Sequence, residues 1–235
     1  MIIEHYEVFK TQFDSSELNQ KNWDILRTES GESAYAIEDS TKEYERNCKE
    51  AVSYEISSKY IADILKKQRC KHVVSLGVGK GILEWHLKKQ MPELYIECTD
   101  YAESAIEKLK TVFVDGDDFH RFDMLKGDYQ IFNKDAFFIM YRVSEEFCYS
   151  DWCKIFKKMK ENGIKNILFI PDMLATENLE IHMKKRHAKN AEQGIKDIFC
   201  GWIYSEDVLE EIFQTGEYEI AERHSMGELV LYTLK

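Results

Sequence analysis

The chain has 235 residues with 32 Lys or Arg against 43 Asp or Glu, a formal net charge of -11. That length supports one large domain with a real apolar core, and the acidic balance argues against nucleic acid as main partner, since phosphates call for a basic footprint. No run approaches the ~20 apolar residues that span a bilayer. No basic-then-apolar leader opens the chain, and the six cysteines show neither a CxxC pair nor a Cys/His zinc spacing. A soluble, reduced, cytoplasmic protein is expected.

Residues 1–45 are polar and dotted with Tyr6, Phe9, Phe13, Trp23, Tyr35 and Tyr44 without a strict period, which predicts short helices and loops. From about Lys42 to Gln68, Val52, Ile56, Tyr60, Ile61, Ile64 and Leu65 recur at helical spacing and predict one helix lying against a sheet. A strand is expected at about 71–76, a helix at 82–90 ending before Pro92, and a second strand over Leu94–Asp100. Tyr101–Leu109 is helical. A third strand lies near Val112–Val114 or just before Phe122, around the turn residues Asp115-Gly116-Asp117-Asp118.

Ala136–Met140 and Ile167–Ile170 are short, fully apolar runs, as in central parallel strands covered on both faces. The helix between them, from about Ser150 to Glu161, stops at Asn162-Gly163. The period breaks after Asp172, where a polar stretch to about residue 200 reads as a helical insertion; its Lys184-Lys185-Arg186-His187 run reads as a solvated helix face. A helix from Ser205 and an antiparallel pair, Tyr218–Glu222 with Leu229–Thr233, close the chain. Strand–helix alternation of this kind indicates a parallel α/β sheet.

The chain is organised around Val73-Val74-Ser75-Leu76-Gly77-Val78-Gly79-Lys80-Gly81, an apolar run stopped by three closely spaced glycines and followed at once by an amphipathic segment. Strand, tight turn and helix in that order place unpaired N–H groups where a polar or anionic ligand can approach the backbone. Ligands of open parallel sheets bind beyond the carboxyl ends of the strands. Asp100 ends the second strand, Asp123 follows the third, and Tyr141-Arg142 follow the fourth, all on that edge. Asp100 can accept both hydroxyls of a ribose, with a simple helix-capping acid as the competing reading; for Asp123 the competing reading is a turn residue. A dinucleotide or an adenosyl cofactor fits this much. The dinucleotide fingerprint G-x-G-x-x-G is not met, because Ile82 stands where its third glycine belongs.

On these residues, with Cys98-Thr99-Asp100-Tyr101, Phe122-Asp123-Met124 and Asp135–Arg142, the chain resembles the class I S-adenosylmethionine-dependent methyltransferases over roughly residues 70–235. The resemblance implies a three-layer αβα sandwich with a seven-stranded, mostly parallel sheet whose last strand is antiparallel. It implies a core at 70–235, with a helical insertion at about 172–204, preceded by a helical extension or lid at 1–69. S-adenosylmethionine would be held by Ser75, Gly77, Val78, Gly79, Gly81, Asp100, Tyr101, Asp123, Met124, Tyr141 and Arg142, leaving S-adenosylhomocysteine as product. Ser75 departs from the pattern, which has an acid there to hold the cofactor's ammonium end.

Methyl transfer needs an acceptor lone pair in line with the methyl and, for a hydroxyl, a base. Asp172 and His182 are the candidate catalytic residues, with His187 and His224 behind them; only Asp172, ending a central strand, has a positional argument. No carboxylate directly follows the fourth strand as in metal-assisted members, so no metal is expected. The Asn/Asp-Pro-Pro-Tyr signature is replaced by Met140-Tyr141-Arg142-Val143. The expected partner is a small-molecule acceptor (a sugar, nucleotide-sugar or natural-product intermediate), with homodimerisation open and neither nucleic acid nor membrane involved. The alternatives are a catalytically silent methyltransferase-like binding protein, suggested by Ser75, and a dinucleotide oxidoreductase.

Overall fold

A computed structural model describes residues 1–28, 34–227 and 229–235. Residues 29–33, inside the expected N-terminal extension, and Glu228, at the turn of the final strand pair, lie outside the described residues. In chain order the elements are β1 (Ile2–Glu7), α1 (Gln20–Thr28), α2 (Thr41–Glu50), α3 (Val52–Lys67), β2 (His72–Leu76), α4 (Ile82–Gln90), β3 (Tyr95–Asp100), α5 (Glu103–Val112) and β4 (Asp118–Arg121). After a 3-10 turn at Tyr129–Ile131 come β5 (Phe137–Tyr141), α6 (Tyr149–Glu161), β6 (Asn166–Ile170), α7 (Glu177–Glu192), β7 (Ile198–Tyr204), α8 (Glu206–Thr215), β8 (Ile220–Met226) and β9 (Leu229–Leu234).

Seven strands form one sheet in the order β4-β3-β2-β5-β6-β9-β8. Only β9 opposes the rest, pairing antiparallel with both β6 and β8, while β2, β3, β4, β5 and β6 run parallel. The central strands are apolar on both faces, so successive residues enter opposite cores. Val73, Ile139 and Leu168 pack with α3, α4 and α5, whereas Val74, Phe138 and Phe169 pack with α6 and α8. Strand order reverses between β2 and β5, so the loop after β2 opens at the switch point where ligands of such sheets sit.

Three expectations are corrected and one left open is decided. The single helix over 42–68 is two helices broken at Ala51 (φ -82, ψ 68). The first buries Tyr44 and Cys48, the second Ile61, Ile64 and Leu65, and no glycine or proline marks the break. In consequence Val52, Ile56 and Tyr60 lie on the solvent side of α3. The N-terminal region is not only helices and loops: β1 is a strand. The 172–204 insertion likewise ends in a strand, β7, and β1 and β7 pair antiparallel as a separate two-stranded ribbon. Of the two placements open for the third strand, the one just before Phe122 holds, at Asp118–Arg121, because Val112 still belongs to α5 and Phe113 caps it. Among the described residues no helix is long and apolar enough to cross a membrane, and all six cysteines are free.

Candidate active site

A cavity of about 650 Å³ opens beyond the carboxyl ends of β2, β3 and β5. Gly77, Val78, Gly79, Asp100, Tyr101, Asp123, Met124, Tyr141, Arg142 and Asp172 all line it. One wall is the glycine loop. Gly77, Gly79 and Gly81 all have positive φ, and a Cβ on Gly77 would lie 2.6 Å from Val143 Cγ1, so only glycine lets this loop fold flat against the cavity. Gly81 caps α4, and its carbonyl accepts the buried Tyr44 hydroxyl at 3.1 Å.

Asp100 fastens this wall. Its Oδ2 accepts the Gly79 N–H and its Oδ1 the Ala102 N–H, both at 2.8 Å. The carboxylate therefore serves the start of α5, as the capping reading expects, and still borders the cavity. Asp123 Oδ1 accepts the Leu125 and Lys126 N–H groups at 2.9 and 3.1 Å, the turn role, while Asp123 also faces the cavity. Ser75 lies beneath the loop and donates to Glu84 Oε1 at 2.5 Å. Lys80 also borders the cavity and forms a largely buried ion pair with Glu38 at 2.8 Å.

At the end of β5, Arg142 adopts a left-handed backbone (φ 60). Its guanidinium donates to Asp172 and lies over the Tyr54 ring. Asp172 thus reaches the site as expected but is committed to Arg142. His182 does not reach it: the residue is exposed on α7 and absent from the cavity lining.

The opposite wall was not legible as a site. It consists of His5 and Glu7 on β1, Cys200 on β7, Trp23 on α1, Tyr35, and Glu145 and Glu146 just after β5; Arg27 of α1 reaches across to the glycine loop, its guanidinium 3.0 Å from where a Cβ on Gly79 would lie. His5 Nδ1 meets Glu145 Oε2 at 2.5 Å and its Nε2 meets Glu7 Oε1 at 2.8 Å. Burial penalises the imidazolium, but the hydrogen bonds and charges of Glu145 and Glu7 outweigh it and raise the His5 pKa to about 9. Glu146 keeps access to the cavity space. Although the residue is exposed toward the cavity, the protein groups crowded around it and then the Glu145 charge push its carboxyl up to about 8, against the pull of Arg27. Gly201 brings this wall together: a Cβ there would lie 1.8 Å from the Glu145 carbonyl oxygen, and the neighbouring Trp202 N–H donates to that oxygen at 3.0 Å. Among the described residues, the one His/carboxylate group spaced to hold a metal ion, Glu97, Asp118 and His120, lies outside the cavity lining.

Neither a family model nor a curated protein matches the sequence. Solved structures do match. Human N-acetylserotonin methyltransferase in complex with SAM aligns with a TM-score of 0.59 at 13% identity, over 94% of this chain and 63% of that one. Magnesium protoporphyrin IX methyltransferase from Synechocystis PCC 6803, with bound SAH, aligns at 0.56 and 12%, over 78% and 83%. This is the class I methyltransferase fold. An N,N-8-amino-8-demethyl-D-riboflavin dimethyltransferase from Streptomyces davawensis shares it at a TM-score of 0.53 and 12% identity, over 75% of this chain and 54% of that one. The chain spans less than two thirds of the length of several such methyltransferases, 55% for one from Nostoc punctiforme. Within the fold, the glycine loop and Asp100 occupy the switch point, and the β1–β7 ribbon adds the second wall.

The residues present suit S-adenosylmethionine on two structural grounds. The loop borders the cavity with bare backbone that admits no side chain, since a Cβ on Gly77 would lie 2.6 Å from Val143 Cγ1 and one on Gly79 3.0 Å from the Arg27 guanidinium. A buried carboxylate oxygen, Glu84 Oε2, lacks a hydrogen-bond partner among the described residues next to that loop.

Proposed function

We propose that this chain transfers the methyl group of S-adenosylmethionine to a small molecule. The observation that carries the reading is the meeting of the glycine loop and Asp100 at the switch point of the methyltransferase fold, on one wall of a cavity large enough for two ligands. The backbone of Gly77–Gly81 would cradle the amino-acid end, and Asp100 retains lone pairs for ribose hydroxyls after accepting its two backbone N–H groups. Tyr101, Asp123 and Met124 are assigned to the adenine, and Tyr141 and Arg142 to the side where the methyl is delivered. Bound there, the cofactor supplies a methyl group made electrophilic by its sulfonium.

The protein's own work is then positioning, water exclusion and proton removal. Trp23, Tyr35 and Phe147 offer ring surface for a flat acceptor. Arg142 is held by Asp172, so Asp172 orients the guanidinium and is a poor base. Glu146 is the better proton acceptor. Its carboxyl lies in the cavity with a pKa raised to about 8 by the protein groups crowded around it and by Glu145, close to the pH at which a base is both ionised and strong enough to help. Glu145 Oε1, buried without a partner among the described residues, is available to an acceptor N–H or O–H.

Titration calorimetry with S-adenosylmethionine and S-adenosylhomocysteine, followed by an S-adenosylhomocysteine-release assay over hydroxylated and aminated aromatic acceptors, tests this. Binding of both nucleosides and turnover with at least one acceptor class are expected. No binding of either at millimolar concentration rejects the reading; binding without turnover returns the chain to the silent alternative.

A further inference from the structure

The sequence lacks an acid on β2 beside the glycine loop and has Ser75 instead. The structure supplies one from the other side of the loop. Glu84 stands in the first turn of α4, just after Gly81. An acid there ordinarily faces water and complements the helix dipole. Glu84 does not: the residue is 2% exposed and lines the cavity wall below the glycines. Ser75 Oγ donates to its Oε1 at 2.5 Å. Oε2 has no hydrogen-bond partner, and no lysine, arginine or histidine forms an ion pair with the carboxyl among the described residues.

A buried carboxylate without a cation is costly, and one left with a bare oxygen more so. Burial accordingly pushes the Glu84 carboxyl up to about 7, with the Asp100 charge adding to the rise and the Ser75 hydrogen bond opposing it. Such a group is relieved by a ligand cation. The last torsion of a glutamate is broad and soft, so turning the free oxygen toward the cavity needs only rotation about that bond. The glycine loop above it runs through three positive-φ positions, Gly77, Gly79 and Gly81, where side chains are disfavoured and at Gly77 would also meet Val143.

We propose that Glu84, held by Ser75, receives on Oε2 the primary ammonium of the bound S-adenosylmethionine. The acid that secures the amino-acid end is delivered by helix α4 and not by strand β2. This rests on the S-adenosylmethionine reading of the cavity and adds to it a specific residue and a specific ligand atom.

The two readings fail in different ways. S-adenosylhomocysteine carries the ammonium, and 5′-methylthioadenosine carries the same adenosine and sulfur without it. Calorimetry with both, on the full chain, is therefore diagnostic. Wild type is expected to bind S-adenosylhomocysteine more tightly. Glu84→Gln, which keeps the size and removes the charge, should lose about 10–100-fold in affinity for S-adenosylhomocysteine and stay within about twofold for 5′-methylthioadenosine, as expected for a charge-assisted contact confined to one end. Ser75→Ala should show the same selective loss at about three- to tenfold. A melting curve guards against trivial unfolding: relieved of an unpaired buried charge, ligand-free Glu84→Gln should melt no lower than wild type at pH 8. An unchanged S-adenosylhomocysteine affinity in Glu84→Gln overturns the proposal. So does an equal loss for both ligands, which would make Glu84 a shaper of the loop. If wild type binds neither ligand, the methyltransferase reading itself falls, and this one with it.

Discussion

The two walls of the cavity are built from different materials. The glycine-loop wall is backbone: N–H groups of a tight turn, pinned by one carboxylate, Asp100, from the next strand. The β1 wall is side chain: an imidazole between two glutamates, a further glutamate and aromatic rings, gathered from segments far apart in the chain. The first carries one shifted group, the buried Glu84 carboxyl, raised to about 7. The second holds groups whose protonation is shifted by their neighbours, His5 up to about 9 and Glu146 up to about 8. Perturbed groups concentrate where protons are handled, so binding and proton chemistry belong to separate walls and should separate under mutation.

The largest separation is expected from Glu146→Gln. Turnover should fall by about 100-fold or more, the range for loss of a general base, while S-adenosylhomocysteine affinity in calorimetry holds. The wild-type rate should climb with pH through about 8, as Glu146 ionises; the variant's profile should be flat there. Loss of affinity in step with rate would merge the two walls. Asp100→Asn addresses the other wall: S-adenosylhomocysteine affinity should drop about 10–100-fold, for the loss of charge-assisted hydrogen bonds. The pH dependence of the residual rate should keep its shape and move slightly to lower pH, because the Asp100 charge helps to raise the Glu146 carboxyl.

Two smaller effects sharpen the contrast through stability. At Gly201→Ala the new Cβ meets backbone, the Glu145 carbonyl oxygen, so the β1 wall must shift. A cost of about 2 kcal/mol, typical of overpacking, corresponds to a melting point lower by about 4–8 °C, with S-adenosylhomocysteine affinity kept within about threefold. A change of similar size concerns His5. A group whose folded pKa is raised above its unfolded value contributes stability that is complete below the unfolded pKa of 6.5 and is lost as pH rises through about 9. Between pH 7 and 10 the wild-type melting point should therefore decline by about 5–10 °C more than that of His5→Gln, for about 2.5 kcal/mol of linked stability; parallel curves would remove the ion-pair account.

The same division explains what the sequence disclosed. The glycine loop, Asp100 and Tyr141-Arg142 were legible because each belongs to a local strand–turn–helix unit whose chemistry is written in adjacent residues. The β1 wall was not, since His5 and Glu145 become neighbours only when β1 pairs with β7 and the ribbon docks on the loop after β5. One signal was there to be used: Ile198-Phe199-Cys200-Gly201-Trp202-Ile203-Tyr204 is rich in aromatic and β-branched residues, a strand composition inside what reads as a helical insertion. A second was the pair of adjacent acids, Glu145-Glu146, shortly after a buried strand. Glu84 gave no such signal. A first-turn acid on a helix is expected in water, and only the packing of α4 against β2 turns it inward.

The β1–β7 ribbon also bears on how the protein is made. Residues 2–7 find their partners at 198–204, across nearly the whole chain. Contacts of such long sequence separation form late, because loop-closure entropy must be overcome before they reward the chain. On the ribosome, β1 emerges early and must wait, an unpaired edge, until β7 has been synthesised. The wall assigned to proton chemistry thus depends on a contact that spans the chain, whereas the glycine loop and Asp100 lie within 24 residues of one another.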